Sequence, residues 1–249
     1  MMTTCPKCNY IRKAIDSQLN KDICPACGIV YQKWLERQQA KTAPDSELTI
    51  ANITIERRQS LFELITQVPD NIDRASFWPR VATLLGFTVW SYYFVSVGVD
   101  WEKIGGSFLH AVNLPFHEFG HIFFSPFGRF MAILGGSLFQ VLMPLGLMLV
   151  FILKQHDNFA ASIMLWWCGQ NFIDLSPYID DAQYRSLPLV GGGGEESHDW
   201  GNLLTMMNLL DKTHSIARIS FFVGALIMVT AIAWSSYILY LQKNKLNSL

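Results

Sequence analysis

Residues 117 to 121 read His117-Glu118-Phe119-Gly120-His121, and they lie inside an apolar stretch running from about residue 104 to 128. Three ionisable side chains in five residues of such a segment demand a partner, because each costs roughly 2.5 to 3.5 kcal/mol at membrane depth. On a helix the two histidines stand one turn apart on one face, so both imidazoles reach a single Zn²⁺, and Glu118 sits beside them to accept a proton from water. The competing reading, buried helix histidines satisfied by neighbours with Glu118 as their partner, leaves that cost uncompensated. A metal or a water-filled cavity answers it.

Composition agrees with a membrane setting. Of 249 residues, 51% are hydrophobic and 16% charged, against a usual charged share of about 25%. Uncharged runs at 81–99, 130–153, 158–173 and 219–242, together with the segment around the histidines, make about five candidate spans of roughly 17 to 25 residues. The expected fold class is therefore an all-α polytopic membrane protein. No charged segment followed by an apolar one opens the chain, so no cleaved signal peptide is expected. The net charge of -1 gives no bulk electrostatic reason to expect nucleic acid.

Four of the five cysteines fall in the first 27 residues, as Cys5-Pro6-Lys7-Cys8 and Cys24-Pro25-Ala26-Cys27. Two CxxC pairs fifteen residues apart have zinc-ribbon spacing, each tight turn supplying two thiolates to one tetrahedral Zn²⁺. Disulfide pairing is the alternative, but no export signal precedes the cysteines. Cys168, inside an apolar run, reads as a small core hydrophobe.

Three regions follow. Residues 1–41 form the ribbon and a charged helix; 42–76 hold a linker at Thr42-Ala43-Pro44-Asp45-Ser46 and an amphipathic stretch with Leu61, Phe62, Leu64, Ile65 and Val68 at helical spacing; 77–249 form the membrane domain. Arg57, Arg58, Arg74 and Arg80 precede the first run, so the positive-inside rule expects a cytoplasmic N-terminus, where thiolates also stay reduced. Counting onward places Lys154 to Asp157 outside. It also places Lys243 and Lys245 outside, against the rule.

A catalytic zinc keeps three protein ligands and an open position, so a third ligand is required. The fourth run carries candidates: Asn171, Asp174, Tyr178 and Asp181 align on one helical face as a polar stripe. These motifs resemble the site-2 protease family of intramembrane zinc metalloproteases, in which an Asp from a later span joins the His-Glu-x-x-His helix. His117, Glu118 and His121 match fully, and Asn171, Pro177 and Ile179-Asp180-Asp181-Ala182 look like a diverged second motif. The resemblance covers about residues 104–182 and implies Asp181 as third ligand, with Asp180 as the alternative. Asp174, flanked by apolar residues, reads as a group that orients water or a ligand. Beyond it, a glycine run at 191–194 leads to Ser197-His198-Asp199-Trp200. There His198 is a further candidate, as ligand or as proton donor to the leaving group, while Ser197 or Asp199 suits a helix cap. Gly135-Gly136-Ser137 reads as a small face for helix packing, and Gln140 as a hydrogen-bonding group for a neighbouring span or a substrate.

The resemblance implies an enzyme that hydrolyses peptide bonds of membrane-associated proteins, with one catalytic zinc in the membrane and one structural zinc in the ribbon. Its expected partners are a membrane protein substrate, the lipid bilayer and a regulatory protein bound through the ribbon, in a multi-pass protein such as one of the bacterial inner membrane. Lys7, Arg12, Lys13 and Lys21 make too thin a basic surface for nucleic acid. Two rival classes are a non-proteolytic membrane adaptor and a zinc hydrolase of a small amide or lipid. An intact Glu118 argues against the first, since a structural site needs no base.

Overall fold

The computed structural model describes residues 3–42, 60–69, 72–188, 194 and 197–247. Residues 43–46 of the expected linker, Arg57, Arg58, Gly191 to Gly193, Glu195 and Glu196 lie outside the described residues. The chain divides into two compact units, Met1–Arg58 and Gln59–Leu249.

In the first unit the two CxxC turns are built alike. The amides of Cys5 and Cys24 donate to Tyr10 O and Ile29 O, both at 2.9 Å, and antiparallel bridges Thr4↔Ile11 and Ile23↔Val30 close the turns. Asn9 and Gly28, each just past the second cysteine, adopt φ of 58° and 69°, a left-handed bend that Gly and Asn tolerate. A helix, α1 (Tyr31–Thr42), leaves the second turn. The buried centre of this unit is Cys5, Cys24 and Tyr31.

The regular elements of the second unit's described residues are all helices: α2 (Leu61–Thr66), α3 (Arg74–Val97), α4 (Trp101–Gly105), α5 (Phe108–Phe124), α6 (Arg129–Val150), α7 (Asn158–Asp180), α8 (Asp199–Met206) and α9 (Thr213–Asn247), with short 3-10 and π turns between them. Side-chain caps set the starts. Asp73 accepts from Ser76 N, Ser107 from His110 N and Asp157 from Ala160 N, satisfying amides that a helix start leaves unpaired. α7 is the central helix, packed by α6 on one side and α9 on the other, while α5 lies against α6 and α3 against α9. Glycines allow the closest crossings. A Cβ on Gly224 would stand 2.5 Å from Gly169 O, and Gly120 meets Gly135 in the same manner.

This unit buries polar groups beside an apolar core that includes Trp166, Ile173 and Met228, and it exposes large apolar faces. Asn158, Ser162, Gln170, Asn171, Asp174 and Ser176, all on α7, are buried, whereas Leu85, Val89 and Tyr92 on α3 are 62%, 70% and 77% exposed. Ile219, Phe222, Leu226 and Val229 expose one face of α9 in the same way.

Among the described residues two helices are long and apolar enough to cross a membrane, Arg129–Gln155 and Leu210–Asn247, each with a mean hydropathy of 2.1. The expectation of five is thereby corrected. The run at 104–128 is divided between α4 and α5, and the 17 residues of α5 rise only about 26 Å, short of a hydrocarbon core of about 30 Å. α7 is long but lined with buried polar groups, and α3 begins with Arg74, Pro79 and Arg80.

The alternation of sides also differs from expectation. Arg80 Nη2 lies 2.7 Å from Asp157 Oδ2, so the starts of α3 and α7 share one end of the bundle. Lys245 Nζ donates to Pro69 O at 3.1 Å, and Asn158 Nδ2 donates to Leu64 O and Gln67 O. The end of α9 and the segment around α2 belong to that same end. Counting apolar runs treats each as one unbroken helix, whereas the path through α3, α4 and α5 is divided twice.

Candidate metal centres

Among the described residues each unit gathers one group of side chains that could hold a metal ion. In the first unit, Cys5, Cys8, Cys24 and Cys27 bring their Sγ atoms within 4.8 Å of one another. Cys5 Sγ is 3.7 Å from Cys27 Sγ, and Cys8 Sγ is 3.7 Å from Cys24 Sγ. A disulfide would need about 2.05 Å. Thiolates placed tetrahedrally about 2.3 Å from one ion stand about 3.8 Å apart, so the edge observed is that of a tetrathiolate metal site. Burial opposes ionisation of Cys24, yet the amides of Cys27 and Ala26 and the neighbouring thiols carry it down to about 6. A thiol so disposed gives up its proton readily to a metal.

In the helical unit the group is His117, His121 and Asp199. α5 supplies the histidines one turn apart, their rings 4.9 Å between centroids. Asp199 arrives from the first turn of α8, 82 residues beyond His117. Its Oδ2 is 3.0 Å from His117 Nε2 and 3.2 Å from His121 Nε2.

The other ring nitrogens are already committed. His121 Nδ1 lies 2.8 Å from Ala132 O, which can only accept, and His117 Nδ1 lies 3.0 Å from Gln140 Oε1. The Gln140 amide is oriented in turn, since its Nε2 donates to Asp174 Oδ2 at 2.9 Å. Both histidines therefore present Nδ1 as the donor and turn Nε2 toward Asp199, where a neutral ring offers a lone pair to a metal and an imidazolium would pair with the carboxylate. Two imidazole nitrogens and a carboxylate oxygen converging at these distances suit a metal cation between them. Ligands about 2.0 to 2.1 Å from a tetrahedral ion stand about 3.3 Å apart, close to the separations found.

Gly136 of α6 completes the cradle. A Cβ at this position would stand 2.5 Å from His121 Nε2 and 2.6 Å from His117 Nε2. Only a residue without a side chain leaves the space where an ion would lie.

A cavity of about 270 Å³ opens onto this centre, with Glu118, Tyr178 and Ser197 among its lining groups. Glu118 is exposed on its wall, next to His117 in sequence and one turn from His121. Tyr178 OH accepts from Asp199 N at 2.9 Å and lies 3.3 Å from Asp199 Oδ2, holding the carboxylate from both sides of the residue.

The other sequence candidates stand elsewhere. Asp181 accepts from Ser186 N, Ser186 Oγ and Leu187 N at 2.7 to 2.9 Å, and lies 3.3 Å from His198 Nε2. It fastens the turn after α7. Asp180 pairs with His214 at 2.6 Å on an exposed edge. His198 is fully buried, and its Nδ1 accepts from Gly201 N at 3.0 Å, capping α8. Burial holds its pKa below the ordinary value, with Asp181 opposing. Asp174, also buried, accepts from Gln140 and Asn113 and sits 3.1 Å from His110, one link beyond the histidine ligands. The geometry thus brings Asp199, rather than Asp180, Asp181 or His198, to His117 and His121.

Sequence reasoning passed over Asp199 as a ligand, because the polar stripe of α7 and the family motif both directed attention to residues before 182. It lies beside the His198 that was considered, and an Asp following a glycine run was the available signal. Gly136 was read as a packing residue, and its second task depends on which helix it faces. No family model, curated protein or solved structure matches this chain.

Proposed function

We propose that this chain is a membrane-embedded zinc metallopeptidase, similar in its chemistry to the site-2 proteases, with a cytoplasmic zinc ribbon as a partner-binding or regulatory module. The observation that carries the reading is the convergence of His117 Nε2, His121 Nε2 and Asp199 Oδ2 beside Glu118 on the wall of one cavity. A His₂Asp set with a neighbouring carboxylate suits a hydrolytic zinc, whereas a purely structural zinc favours four protein ligands.

Zinc in this site would polarise the scissile carbonyl and lower the pKa of water toward neutrality. Glu118 accepts the proton of the attacking water and returns it to the departing amine, so that one carboxylate serves as base and then as acid. Gln140 and Ala132 O keep both imidazoles in the ligating tautomer, and Tyr178 steadies Asp199. The apolar exterior and the two helices of spanning length support placement in a bilayer. A substrate there would be a membrane segment of another protein, unwound locally so that its backbone enters the cavity. Arg74, Arg80, Lys154, Lys243 and Lys245 gather toward the end of the bundle where α3 starts and α9 finishes, which supports that end as the cytoplasmic one.

The test is zinc content and peptide cleavage on protein purified in detergent, using a panel of single-span peptides read by mass spectrometry. Two zinc ions per chain are expected, with Glu118→Gln keeping both and losing cleavage. Loss of a zinc in that variant would make Glu118 a ligand and overturn the mechanism. A wild type that holds two zincs yet cuts no peptide would favour an adaptor instead.

A further inference from the structure

α5 turns a third histidine, His110, into the same cavity as the metal centre. It stands seven residues before His117, two helical turns or about 10.5 Å along the axis, and is no part of that centre. Its Nδ1 lies 3.1 and 3.2 Å from the two oxygens of Asp174, and the Trp101 ring meets it edge-on with centroids 5.2 Å apart. Both Trp101 and Leu114 line the cavity beside it.

Asp174 favours the charged form of this ring. Its side chain is 2% exposed, and its remaining hydrogen-bond donors, Asn113 and Gln140, are neutral amides. A carboxylate this buried needs a compensating positive charge. Among the described residues His110 is the ionisable group hydrogen-bonded to it. With Nδ1 given to Asp174, Nε2 is the polar atom that the ring offers to the cavity, a donor when the ring is an imidazolium paired with that carboxylate, and no hydrogen bond of Nε2 is found among the described residues. Because such a pair is neutral overall, a neutral acceptor suits this donor better than a second anion.

We infer that His110 is a substrate-binding residue, donating from Nε2 to a backbone carbonyl of an extended peptide that lies along α5 between Trp101 and the metal centre. At about 3.3 Å per extended residue, the carbonyl belongs about three residues from the bond that is cut. The inference rests on the peptidase reading for its ligand, so its test reads binding and not turnover.

Peptides of a membrane segment, shortened one residue at a time from each end, are bound to the full-length Glu118→Gln protein, with and without His110→Ala. One step of shortening costs the His110 protein roughly ten- to hundredfold in Kd and costs the His110→Ala protein nothing at that step. His110→Gln, which keeps a donor, restores part of the loss. Zinc content is measured in each variant, and two zincs in His110→Ala separate a lost contact from a damaged fold. Equal losses at every step in both proteins, or no peptide binding at all, would overturn the inference. Cleavage by the wild type, measured separately, decides the peptidase reading independently.

Discussion

A methyl group on Gly136 would stand 2.5 Å from His121 Nε2, so the backbone of α6 forms one wall of the space between the histidine ligands. Gly136 is an ordinary helical residue without positive φ. Alanine there gains roughly 0.5 to 1 kcal/mol in helix propensity, set against the cost of moving both imidazoles aside. Gly136→Ala is therefore expected to fold and to retain the ribbon zinc while losing the zinc of the helical unit. Metal analysis beside a thermal melt checks this; two zincs in that variant would place the ion elsewhere.

Asp199 and Asp181 separate ligation from fastening. Asp199→Asn should remove the zinc of the helical unit, because a neutral amide binds it far more weakly than a carboxylate. Asp181→Ala should keep that zinc in excess metal but lower stability by about 1 to 2 kcal/mol, since it removes the acceptor of Ser186 and Leu187 and the carboxylate beside the buried His198. Denaturant unfolding and metal content on both variants decide the assignment. The reverse pattern would make Asp181 the ligand.

Gln140 has no direct contact with an ion, yet it sets the His117 ring between Asp174 and the centre. Gln140→Ala is expected to weaken zinc affinity there by roughly 10- to 100-fold and to leave the ribbon site unchanged. Competition with a chelator, following the two sites separately, gives the measurement.

The shared end of α3 and α9 predicts sidedness. Ala75→Cys and Asn244→Cys, both exposed, should react with an impermeant thiol reagent from the same side of sealed vesicles. Modification from opposite sides would contradict the Lys245–Pro69 hydrogen bond.

A lipid-soluble photoreactive probe should label Leu85, Val89, Leu226 and Val229 and spare Ile173 and Met228, which are fully buried. Uniform labelling, or none, would remove the exposed apolar faces of α3 and α9 as support for a bilayer setting.

Local patterns carried much of this protein. Two CxxC turns announce a tetrathiolate site because the ligands of each pair are fixed within one turn, and the second pair repeats the first. His117 and His121 are likewise legible at a spacing of four, since helical geometry alone places both rings on one face. Helix content could be read from the apolar runs, but their number overstated the spans: length and hydropathy do not reveal where a path breaks, as it does at α4, or which helix hides its polar face in the bundle centre, as α7 does.

Three features belonged to tertiary structure alone. Asp199 becomes a candidate ligand only because Asp181, His198 and Tyr178 fasten the start of α8 over α5. Gly136 becomes part of the centre only because α6 crosses α5 at Gly120 and Gly135. Gln140 and Asp174, 34 residues apart, join the histidines only through their hydrogen bonds. A spacing within one helix is set by the backbone and can be read along the chain, whereas a ligand contributed by a distant segment depends on packing and loop closure, which no local pattern records.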